Sequence, residues 1–285
     1  MCNNDTVFLL LGGDERMFGV YDYLKSRDVT ARLYGFDLKN DQRICSKHSL
    51  EDLIRESDAV ILPTPVVSNG ELFAPYSKDL PSLEKLSEML IGKRVYGGGK
   101  SALISEKCIY TDLLDDEWLV IRNAELTAEA AISEAVNSIN RSISDSNVLI
   151  VGNGRIGKQL RRLLKEYTSD LTVSARKNRD MAEIELSGAK YINTSEIAKN
   201  ANRFDLIFST VPAKVFDYNL LKELKEMCLL IDLASAPGSA DIKAVNELNI
   251  KYVFAKALPG RYFPLSSGEA IAKTVLRLYG GEINA

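Results

Sequence analysis

The chain has 285 residues, of which 46% are hydrophobic and 26% charged, and its formal net charge is −3 at pH 7. This length predicts two domains of ordinary globular composition. The 36 basic and 39 acidic residues nearly balance and form no long run, which argues against a nucleic-acid-binding surface. No apolar stretch approaches the roughly 18 residues that span a bilayer, and the first residues, MCNNDT, are polar rather than a charged segment followed by an apolar one. We therefore expect a cytoplasmic protein with no membrane association.

The four cysteines lie far apart and include no C-x-x-C pair: Cys2, Cys45, Cys108 and Cys228. This spacing disfavours a zinc site or a redox motif, so we expect reduced, structural cysteines and no bound metal. The one histidine, His48, lies in the polar stretch CSKHSLED and is interpreted as a solvated loop residue. Most histidine-based acid–base and triad mechanisms are therefore disfavoured.

Residues 1–125 alternate short apolar runs with amphipathic segments. The runs suit parallel strands buried on both faces, and the alternation predicts a βαβ pattern with an open parallel sheet. We interpret this region as a flavodoxin-like or Rossmann-like substrate domain. Several runs end in glycine or proline: Gly12, Gly13, Pro63, Pro65, Gly97, Gly98 and Gly99. Because ligands of such sheets bind at the carboxyl ends of strands, these loops are expected to hold a small molecule.

Residues 127–142 carry alanine and isoleucine at helical spacing, and Thr127 suits the N-cap position. We predict a helix here that joins two domains. After it the alternation of strands and helices restarts and continues to the end of the chain. The sequence thus predicts an α/β protein with two Rossmann-like domains, each built on a parallel sheet, over residues 1–125 and 126–285. The last helix is a candidate to pack back on the first domain.

The stretch NVLIVGNGRIGKQLRRLLKEY, residues 147–167, places three glycines as G-x-G-x-x-G between an apolar run and a helical leucine pattern. This is the context that the dinucleotide-binding fingerprint requires. The first glycine allows a tight turn, the second lets the backbone approach a pyrophosphate, and the third lets helix and strand pack closely. The phosphates would lie at a helix N-terminus. The predicted contacts are Gly152, Asn153, Gly154, Arg155, Ile156 and Gly157.

The choice between NAD and NADP depends on the end of the next strand, LTVSARK, where an NAD site would carry an acidic residue. Ser174, Arg176 and Lys177 instead offer a hydroxyl and two cations, which suit the 2′-phosphate of NADP(H). A basic surface turn is the alternative interpretation. The loops after two later strands are expected to border the nicotinamide ribose and ring. They contribute Thr210, Val211, Pro212 and Ala234.

Five stretches, in order and over nearly the whole chain, point to a known family: LLGGDERMFGVYDYL, NAELTAEAAI, the nucleotide loop, IDLASAPGS and ALPGRYFPLSSGEAIAKTVL. Together they resemble the A-subunit family of dipicolinate synthase. The resemblance implies an NADP-dependent oxidation of a dihydrodipicolinate to pyridine-2,6-dicarboxylate (dipicolinate), in the mother cell of a sporulating bacterium. It also implies a flavoprotein-like partner, the B-subunit. We further expect a homo-oligomer.

The chain departs from the family's usual pattern at Ala130, Ala236 and Ser239, where the family tends to have glycine, arginine and glycine. Before the last helix it has FPLSSG in place of APKTAG. These differences remove an arginine and a lysine from beside the expected ring site. A diacid substrate would need cations elsewhere in the chain.

Three cations next to glycine-bearing strand ends are candidates to bind substrate carboxylates: Arg16, Lys100 and Arg261. Solvation at the surface is the alternative for the first two. Thr127 and Glu129 either contact the substrate or serve the N-terminus of the predicted junction helix. Glu129 and Lys100 are the catalytic candidates, and no unique general base is identified. The candidate substrate-binding residues are Gly13, Asp14, Arg16, Thr64, Gly98, Lys100, Thr127 and Arg261.

Two other functions remain open. One is a different NADP-dependent dehydrogenase with the same two-domain fold, acting on a small hydroxy or amino acid. An Arg–Glu–His set is normally expected for hydroxy acids, and the position of His48 near the N-terminus argues against it. The other is a regulatory protein that senses NADP(H) and acts on a partner. Substrate-dependent production of NADPH distinguishes an enzyme from a sensor.

Overall fold

The computed structural model describes residues 6–45 and 48–283, without the side chains of residues 282 and 283. Cys2 lies outside the described residues. The chain forms two compact units, one of Met1–Asn123 with Gly260–Ala285 and one of Ala124–Pro259. The C-terminal segment thus groups with the N-terminal unit. In the described part of the chain, no helix is long and apolar enough to cross a membrane.

The described helices and strands follow one another closely. The first part forms β1 (Val7–Leu11), α1 (Arg16–Lys25), β2 (Thr30–Tyr34), α2 (Leu50–Glu56), β3 (Ala59–Ile61), β4 (Val67–Ser68), β5 (Glu71–Leu72), α3 (Leu83–Met89), β6 (Arg94–Gly97), α4 (Ala102–Ser105), β7 (Ile109–Asp112) and α5 (Glu117–Ser138). The second part forms β8 (Val148–Val151), α6 (Arg155–Leu164), β9 (Leu171–Ala175), α7 (Asn178–Leu186), β10 (Lys190–Asn193), α8 (Ile197–Asn200), β11 (Leu206–Ser209), α9 (Tyr218–Lys222), β12 (Leu229–Asp232), α10 (Ile242–Glu247), β13 (Lys251–Phe254), α11 (Leu258–Tyr262) and α12 (Pro264–Ile283).

The N-terminal unit is built on a five-stranded parallel sheet with the order β2-β1-β3-β6-β7. Its strand β1 is apolar throughout because both of its faces are covered. Phe8 and Leu10 pack in one hydrophobic cluster, and Leu9 and Leu11 pack in another. This order is the flavodoxin-like one, in which the switch point lies between β1 and β3. Strand β7 and the short antiparallel pair β4–β5 were not predicted from the sequence.

Helices α1 and α12 cross within the N-terminal unit at two glycines. A Cβ on Gly268 would lie 2.2 Å from the carbonyl oxygen of Arg16. A Cβ on Gly19 would lie 3.0 Å from the carbonyl oxygen of Pro264. Both contacts are with backbone, so any larger residue would force the two helices apart. This close crossing gives a physical reason for the grouping of α12 with the N-terminal unit.

The C-terminal unit is built on a six-stranded parallel sheet with the order β10-β9-β8-β11-β12-β13. This is the order of the dinucleotide-binding Rossmann fold, whose switch point lies between its first and fourth strands, here β8 and β11. One row of register partners crosses the sheet near its carboxyl edge: Ser174, Val151, Ser209, Asp232 and Phe254. The prediction of two Rossmann-like parallel sheets is confirmed.

The prediction of a helix over residues 127–142 is wrong at both ends, because α5 runs over Glu117–Ser138. Residues 117–126 contain no proline or glycine, so nothing in the sequence stops the helix from starting earlier. Asp116 lies at its true start and accepts a hydrogen bond from the Leu119 N–H at 3.0 Å. Thr127 therefore lies in the interior of the helix and does not cap it.

Candidate functional site

The glycine-rich loop of the C-terminal unit connects β8 to α6. Gly152 has a φ of +103°, and a Cβ there would lie 2.7 Å from the Thr210 Oγ1 atom. A Cβ on Gly157 would lie 2.1 Å from the carbonyl oxygen of Gly152, so the first turn of α6 packs directly on the loop. Gly154 is the N-cap residue of α6, and a Cβ there would meet nothing within 4 Å. Gly152 and Gly157 thus have no room for a side chain, whereas the space next to Gly154 is open.

The start of α6 has the electrostatic character of an anion site. This ten-residue helix has no acidic residue in its first turn, so its free N–H groups and dipole are not neutralised locally. Arg155 and Ile156 form the start of the first turn. The Asn153 amide nitrogen donates to Asp180 Oδ1 and Glu183 Oε2, both at 3.3 Å, and its buried Oδ1 has no hydrogen-bond partner. These features fit a pyrophosphate held by backbone N–H groups.

The end of β9 presents two cations, Arg176 and Lys177, and both are exposed. Lys177 is also the N-cap residue of α7. Ser174 is different, because its side chain is fully buried and its carbonyl oxygen accepts the Gly152 N–H at 2.9 Å. The buried hydroxyl is therefore not displayed beside the two cations, contrary to the expectation from the sequence.

Arg176 and Lys177 differ from several basic residues of the C-terminal unit in that neither forms an ion pair with a described residue. Four neighbouring cations are paired with carboxylates between 2.6 and 3.1 Å away. These pairs are Lys158–Glu183, Arg162–Glu125, Arg179–Glu183 and Lys190–Asp170. Two adjacent cations without a described ion-pair partner thus lie at the end of β9.

The loops after β11 and β12 lie on the other side of the switch point. Thr210 donates to the Val151 carbonyl oxygen through both its N–H and its Oγ1, at 2.9 and 3.0 Å, which fixes the start of the first loop. Val211 is half-buried and Pro212 is exposed. Ala234, in the second loop, is buried. Of the four residues predicted to border the nicotinamide, Pro212 alone is openly exposed.

A buried carboxylate organises the loop after β12. Asp232 is fully buried and accepts hydrogen bonds from the N–H groups of Ala234 at 3.0 Å and Ser239 at 2.6 Å. It also accepts the Tyr252 hydroxyl at 3.1 Å. Gly238 has a φ of +92°, and a Cβ there would lie 2.9 Å from Asp232 Oδ2. Burial, followed by the charge and hydrogen bond of Asp232, raises the pKa of Tyr252 above its usual range, so this hydroxyl stays protonated.

Asp232 was not recognised from the sequence, although the DLAS segment that contains it was placed beside the nicotinamide. The available signal was an acidic residue that ends an apolar strand and is followed by a Pro-Gly turn. An acidic side chain in that position can receive the N–H groups of the turn. The loop that contains Ala236 and Ser239, two of the departures from the family pattern, is held by this carboxylate.

In the N-terminal unit, the loop after β1 holds an ion pair between Asp14 and Arg16. The Arg16 Nε and Nη2 atoms donate to the two Asp14 oxygens at 2.8 and 2.9 Å, and Nη2 also donates to the Thr64 carbonyl oxygen. The Arg16 side chain is 13% exposed and that of Asp14 19%. A Cβ on Gly260 would lie 3.1 Å from Asp14 Oδ2, so α11 covers this pair closely. Arg16 is therefore not simply solvated, and Asp14 neutralises its charge.

The loops after β3 and β6 meet at the same edge of the sheet. A Cβ on Gly98 would lie 2.2 Å from the Thr64 Oγ1 atom, which has no hydrogen-bond partner. Gly13, after β1, has a φ of +99°. These three predicted residues thus border the switch point of the sheet. Lys100 is mostly exposed and lies 3.3 Å from Asp115, in a surface ion pair.

The remaining predicted residues are more scattered. Thr127 is buried within α5, and Glu129 is exposed on the same helix. The guanidinium of Arg261, in α11, lies 5.7 Å from the centroid of the Tyr262 ring. These positions do not identify a general base.

The cysteines and the histidine show no sign of a metal or redox site in the described residues. Cys45, Cys108 and Cys228 are free. Burial raises the pKa of Cys108 to about 11 and that of Cys228 to about 12, so both thiols stay protonated at neutral pH. His48 is exposed. Within residues 6–45 and 48–283, no three Cys, His, Asp or Glu residues are grouped so that they could hold a metal ion.

Comparisons with known families and curated proteins agree with this division. A model of the N-terminal domain of the dipicolinate synthase A-subunit matches residues 7–113, and a shikimate/quinate 5-dehydrogenase model matches residues 134–255. The dipicolinate synthase A-subunit of Bacillus subtilis (strain 168) is 24% identical over 279 residues, which is 94% of each chain.

Solved structures share the fold over almost the whole chain. The dipicolinate synthase A-subunit of Bacillus halodurans is 25% identical, with a TM-score of 0.84 over 96% of this chain and 97% of that one. A transhydrogenase from Sinorhizobium meliloti is 12% identical, with a TM-score of 0.68 over 96% of this chain and 94% of that one. The dehydrogenase-like Rossmann fold suggests an oxidoreductase with a nicotinamide dinucleotide cofactor. Along nearly its whole length, the chain is thus similar to the A-subunit of dipicolinate synthase.

Proposed function

We propose that this protein is the A-subunit of a dipicolinate synthase and oxidises a dihydrodipicolinate to pyridine-2,6-dicarboxylate with NADP⁺. The observation that carries the proposal is a nucleotide loop of dehydrogenase geometry combined with family relatives that cover nearly the whole chain. The curated relative from Bacillus subtilis carries the name of this synthase.

The nucleotide loop supports a bound dinucleotide on geometric grounds. The space above Gly154 is open, while Gly152 and Gly157 leave no room for a side chain below the loop. A pyrophosphate at this point would accept hydrogen bonds from the free N–H groups at the start of α6. When bound, the dinucleotide supplies the hydride acceptor. The loops that begin at Thr210 and Leu233 lie on the side of the switch point where its nicotinamide half is expected.

The preference for NADP over NAD rests on Arg176 and Lys177. They lie at the end of β9, the strand that follows the nucleotide loop, where an NAD-specific site carries an acidic residue. Both are exposed and neither has a described carboxylate partner. A guanidinium can bind a 2′-phosphate through two hydrogen bonds, and an ammonium adds charge. Ser174 is withdrawn from this proposal because its side chain is buried.

The reaction removes one hydride and one proton from the dihydropyridine ring, which becomes aromatic. Because aromatisation supplies driving force, the main tasks of the protein are to orient the ring and to neutralise two carboxylates. A strong general base is not required. This agrees with the positions of Glu129 and Lys100, which do not identify one among the described residues.

A partner protein follows from the same proposal. The relatives are named as the A-subunit of their enzymes, which implies a B-subunit in those enzymes. We propose that this chain also acts with a flavoprotein-like B-subunit, in the mother cell of a sporulating bacterium, and that it forms homo-oligomers. The partner must therefore be a variable in any assay of the reaction.

The test generates dihydrodipicolinate in situ and adds the purified protein with NADP⁺, with and without the candidate partner. Absorbance follows NADPH, and chromatography follows the aromatic diacid. Equal rates of appearance of the two products are expected. A protein that binds NADPH tightly but forms neither product, even with the partner, would instead favour the sensor. The neutralisation of Arg16 by Asp14 is the structural feature that keeps this second function open.

A further inference from the structure

Lys256 lies just beyond the carboxyl end of β13, the strand next to the loop held by Asp232. The Ala255 N–H donates to the Asp232 carbonyl oxygen at 2.9 Å, so the chain continues alongside this loop past the last residue of β13. Lys256 therefore borders the start of the loop after β12. It is exposed, and no described residue forms an ion pair with it.

The Lys256 ammonium lies over an aromatic ring. Its Nζ atom lies 4.3 Å from the centroid of the Phe254 ring. Phe254 in turn stacks on Tyr252, with ring centroids 6.4 Å apart and an interplanar angle of 23°. Tyr252 and Phe254 are two residues apart in β13 and so lie on one face of the strand, and Lys256 follows two residues beyond its end. The Tyr252 hydroxyl binds the buried Asp232, which anchors the series.

The packed side chains of Tyr252 and Phe254 thus support the Lys256 side chain. A lysine above an aromatic face loses less conformational freedom on binding an anion than a fully mobile one, and its charge is retained. Phe254 also touches the loop after β12, because a Cβ on Gly238 would lie 3.4 Å from its ring. The ammonium and the loop thus belong to one packed structure.

The location of Lys256 separates it from the cations assigned to the 2′-phosphate. Arg176 lies at the end of β9, and the strand order places β8, β11 and β12 between β9 and β13. At about 4.8 Å per strand, four spacings place the two flanks roughly 19 Å apart. A dinucleotide whose adenosine half lies at β9 extends across the switch point toward β11 and β12. Lys256 then lies beyond the nicotinamide end, on the side where a substrate is presented.

We propose that Lys256 binds a carboxylate of the substrate and sets the preference of the C-terminal unit for a diacid. This assignment rests on the proposed function and gives it a specificity-determining cation. It also meets the need for positive charge in a chain with alanine at position 236. By the same argument Lys214 is a weaker candidate, because it lies 3.6 Å from Asp241 in an ion pair.

The test measures direct binding of pyridine-2,6-dicarboxylate and of pyridine-2-carboxylate to the NADPH-loaded protein by calorimetry. Lys256→Met removes the charge and keeps an unbranched side chain on Phe254, whereas Lys256→Arg keeps the charge. Lys251→Met is the matched control, because Lys251 begins the same strand at the opposite edge of the sheet. The Kd of NADPH is measured separately by fluorescence for every variant.

We expect Lys256→Met to weaken binding of the diacid about tenfold or more, as for the loss of a charged hydrogen bond. Binding of the monoacid should change less, and the Kd of NADPH should stay unchanged. Lys256→Arg and Lys251→Met should bind the diacid as the parent does. A diacid affinity that is unchanged in Lys256→Met, or lowered equally in Lys251→Met, overturns the assignment.

The outcome for the parent protein separates this assignment from the proposed function. If the parent oxidises dihydrodipicolinate while Lys256→Met has an unchanged KM and unchanged diacid binding, the function stands and the role of Lys256 does not. If the parent neither binds the diacid nor forms product, both fail together. A raised KM with a nearly unchanged kcat in Lys256→Met supports both.

Discussion

Replacement of Arg176 and Lys177 by alanine should weaken NADPH binding selectively. Both side chains are exposed at the end of β9 and unpaired among the described residues, so their removal breaks no ion pair and should leave the fold intact. NADH lacks the 2′-phosphate, so its affinity should hardly change. The expected result is a loss of the preference between the two cofactors.

The magnitude follows from the chemistry of the two side chains. A hydrogen bond to a charged group contributes about 1.5–3 kcal/mol, and solvent screening at an exposed site favours the lower value. Since about 1.4 kcal/mol corresponds to a tenfold change in Kd, Arg176→Ala should raise the Kd of NADPH roughly tenfold. The double replacement should raise it roughly a hundredfold, and Arg176→Glu should exceed Arg176→Ala because it adds repulsion.

Fluorescence titration of NADPH and NADH provides the assay, with Arg162→Ala as the matched control. Arg162 is half-exposed on α6, but it is bound to Glu125 at 2.6 Å and lies near the far end of that helix. This variant should bind both cofactors as the parent does. Equal weakening of NADPH and NADH by Arg176→Ala, or a similar NADPH defect in Arg162→Ala, would refute the reasoning.

Three further replacements test the loop, the helix crossing and the ion pair between Asp205 and Lys225. Gly154→Val should leave Tm nearly unchanged, because a Cβ there meets nothing within 4 Å. The same replacement should abolish binding of both NADPH and NADH. A normal affinity for either cofactor would contradict the phosphate-loop assignment. Gly268→Ala should lower the free energy of unfolding by about 1–3 kcal/mol, because its Cβ would lie 2.2 Å from the Arg16 carbonyl oxygen. Urea unfolding measures this change. An unchanged urea midpoint would contradict the close crossing of the two helices. Burial raises the pKa of the Asp205 carboxyl group, but the hydrogen bonds from Lys225 and from the Asn147 N–H, together with the charges of Lys225 and Arg141, outweigh it, so the pKa lies below its usual value. This carboxylate therefore stabilises the fold above its unfolded pKa of about 3.9, and the contribution is lost as pH falls below that value. Asp205→Asn should be less stable than the parent at pH 7, and the difference should shrink below about pH 4; a difference independent of pH would exclude the ion pair as its cause.

The parts of the fold that local patterns encode were predictable from the sequence. Strands buried on both faces produce continuous apolar runs, and both parallel sheets were recognised from such runs. The glycine-rich loop was recognised for a similar reason, because Gly152 and Gly157 have no room for a Cβ in the folded chain. Where the folded chain leaves no room for a side chain, as at these two positions, the glycine in the sequence indicates the local structure.

The parts that failed depend on contacts between distant residues or on the absence of a local signal. The start of α5 was misplaced because Thr127 has the residue type of an N-cap, while Asp116, eleven positions earlier, lies at the true start. The engagement of Arg16 by the Thr64 carbonyl oxygen depends on packing between β1 and β3, which spacing alone does not encode. The support of Lys256 by the series that begins at Tyr252 was missed for the same reason.

Cofactor binding and cofactor choice are encoded differently in the C-terminal unit. A Cβ on Gly152 would meet the side chains of Thr210 and Val211, and a Cβ on Gly157 would meet the carbonyl oxygen of Gly152, so a change there disturbs the loop and the packing of α6 together. Arg176 and Lys177, in contrast, are exposed, and neither forms an ion pair with a described residue. Their replacement should therefore alter the proposed preference for NADP with little effect on the free energy of unfolding. It follows that a protein with this loop could exchange NADP for NAD through the end of β9 alone, whereas a change at Gly152 or Gly157 would compromise binding of both cofactors.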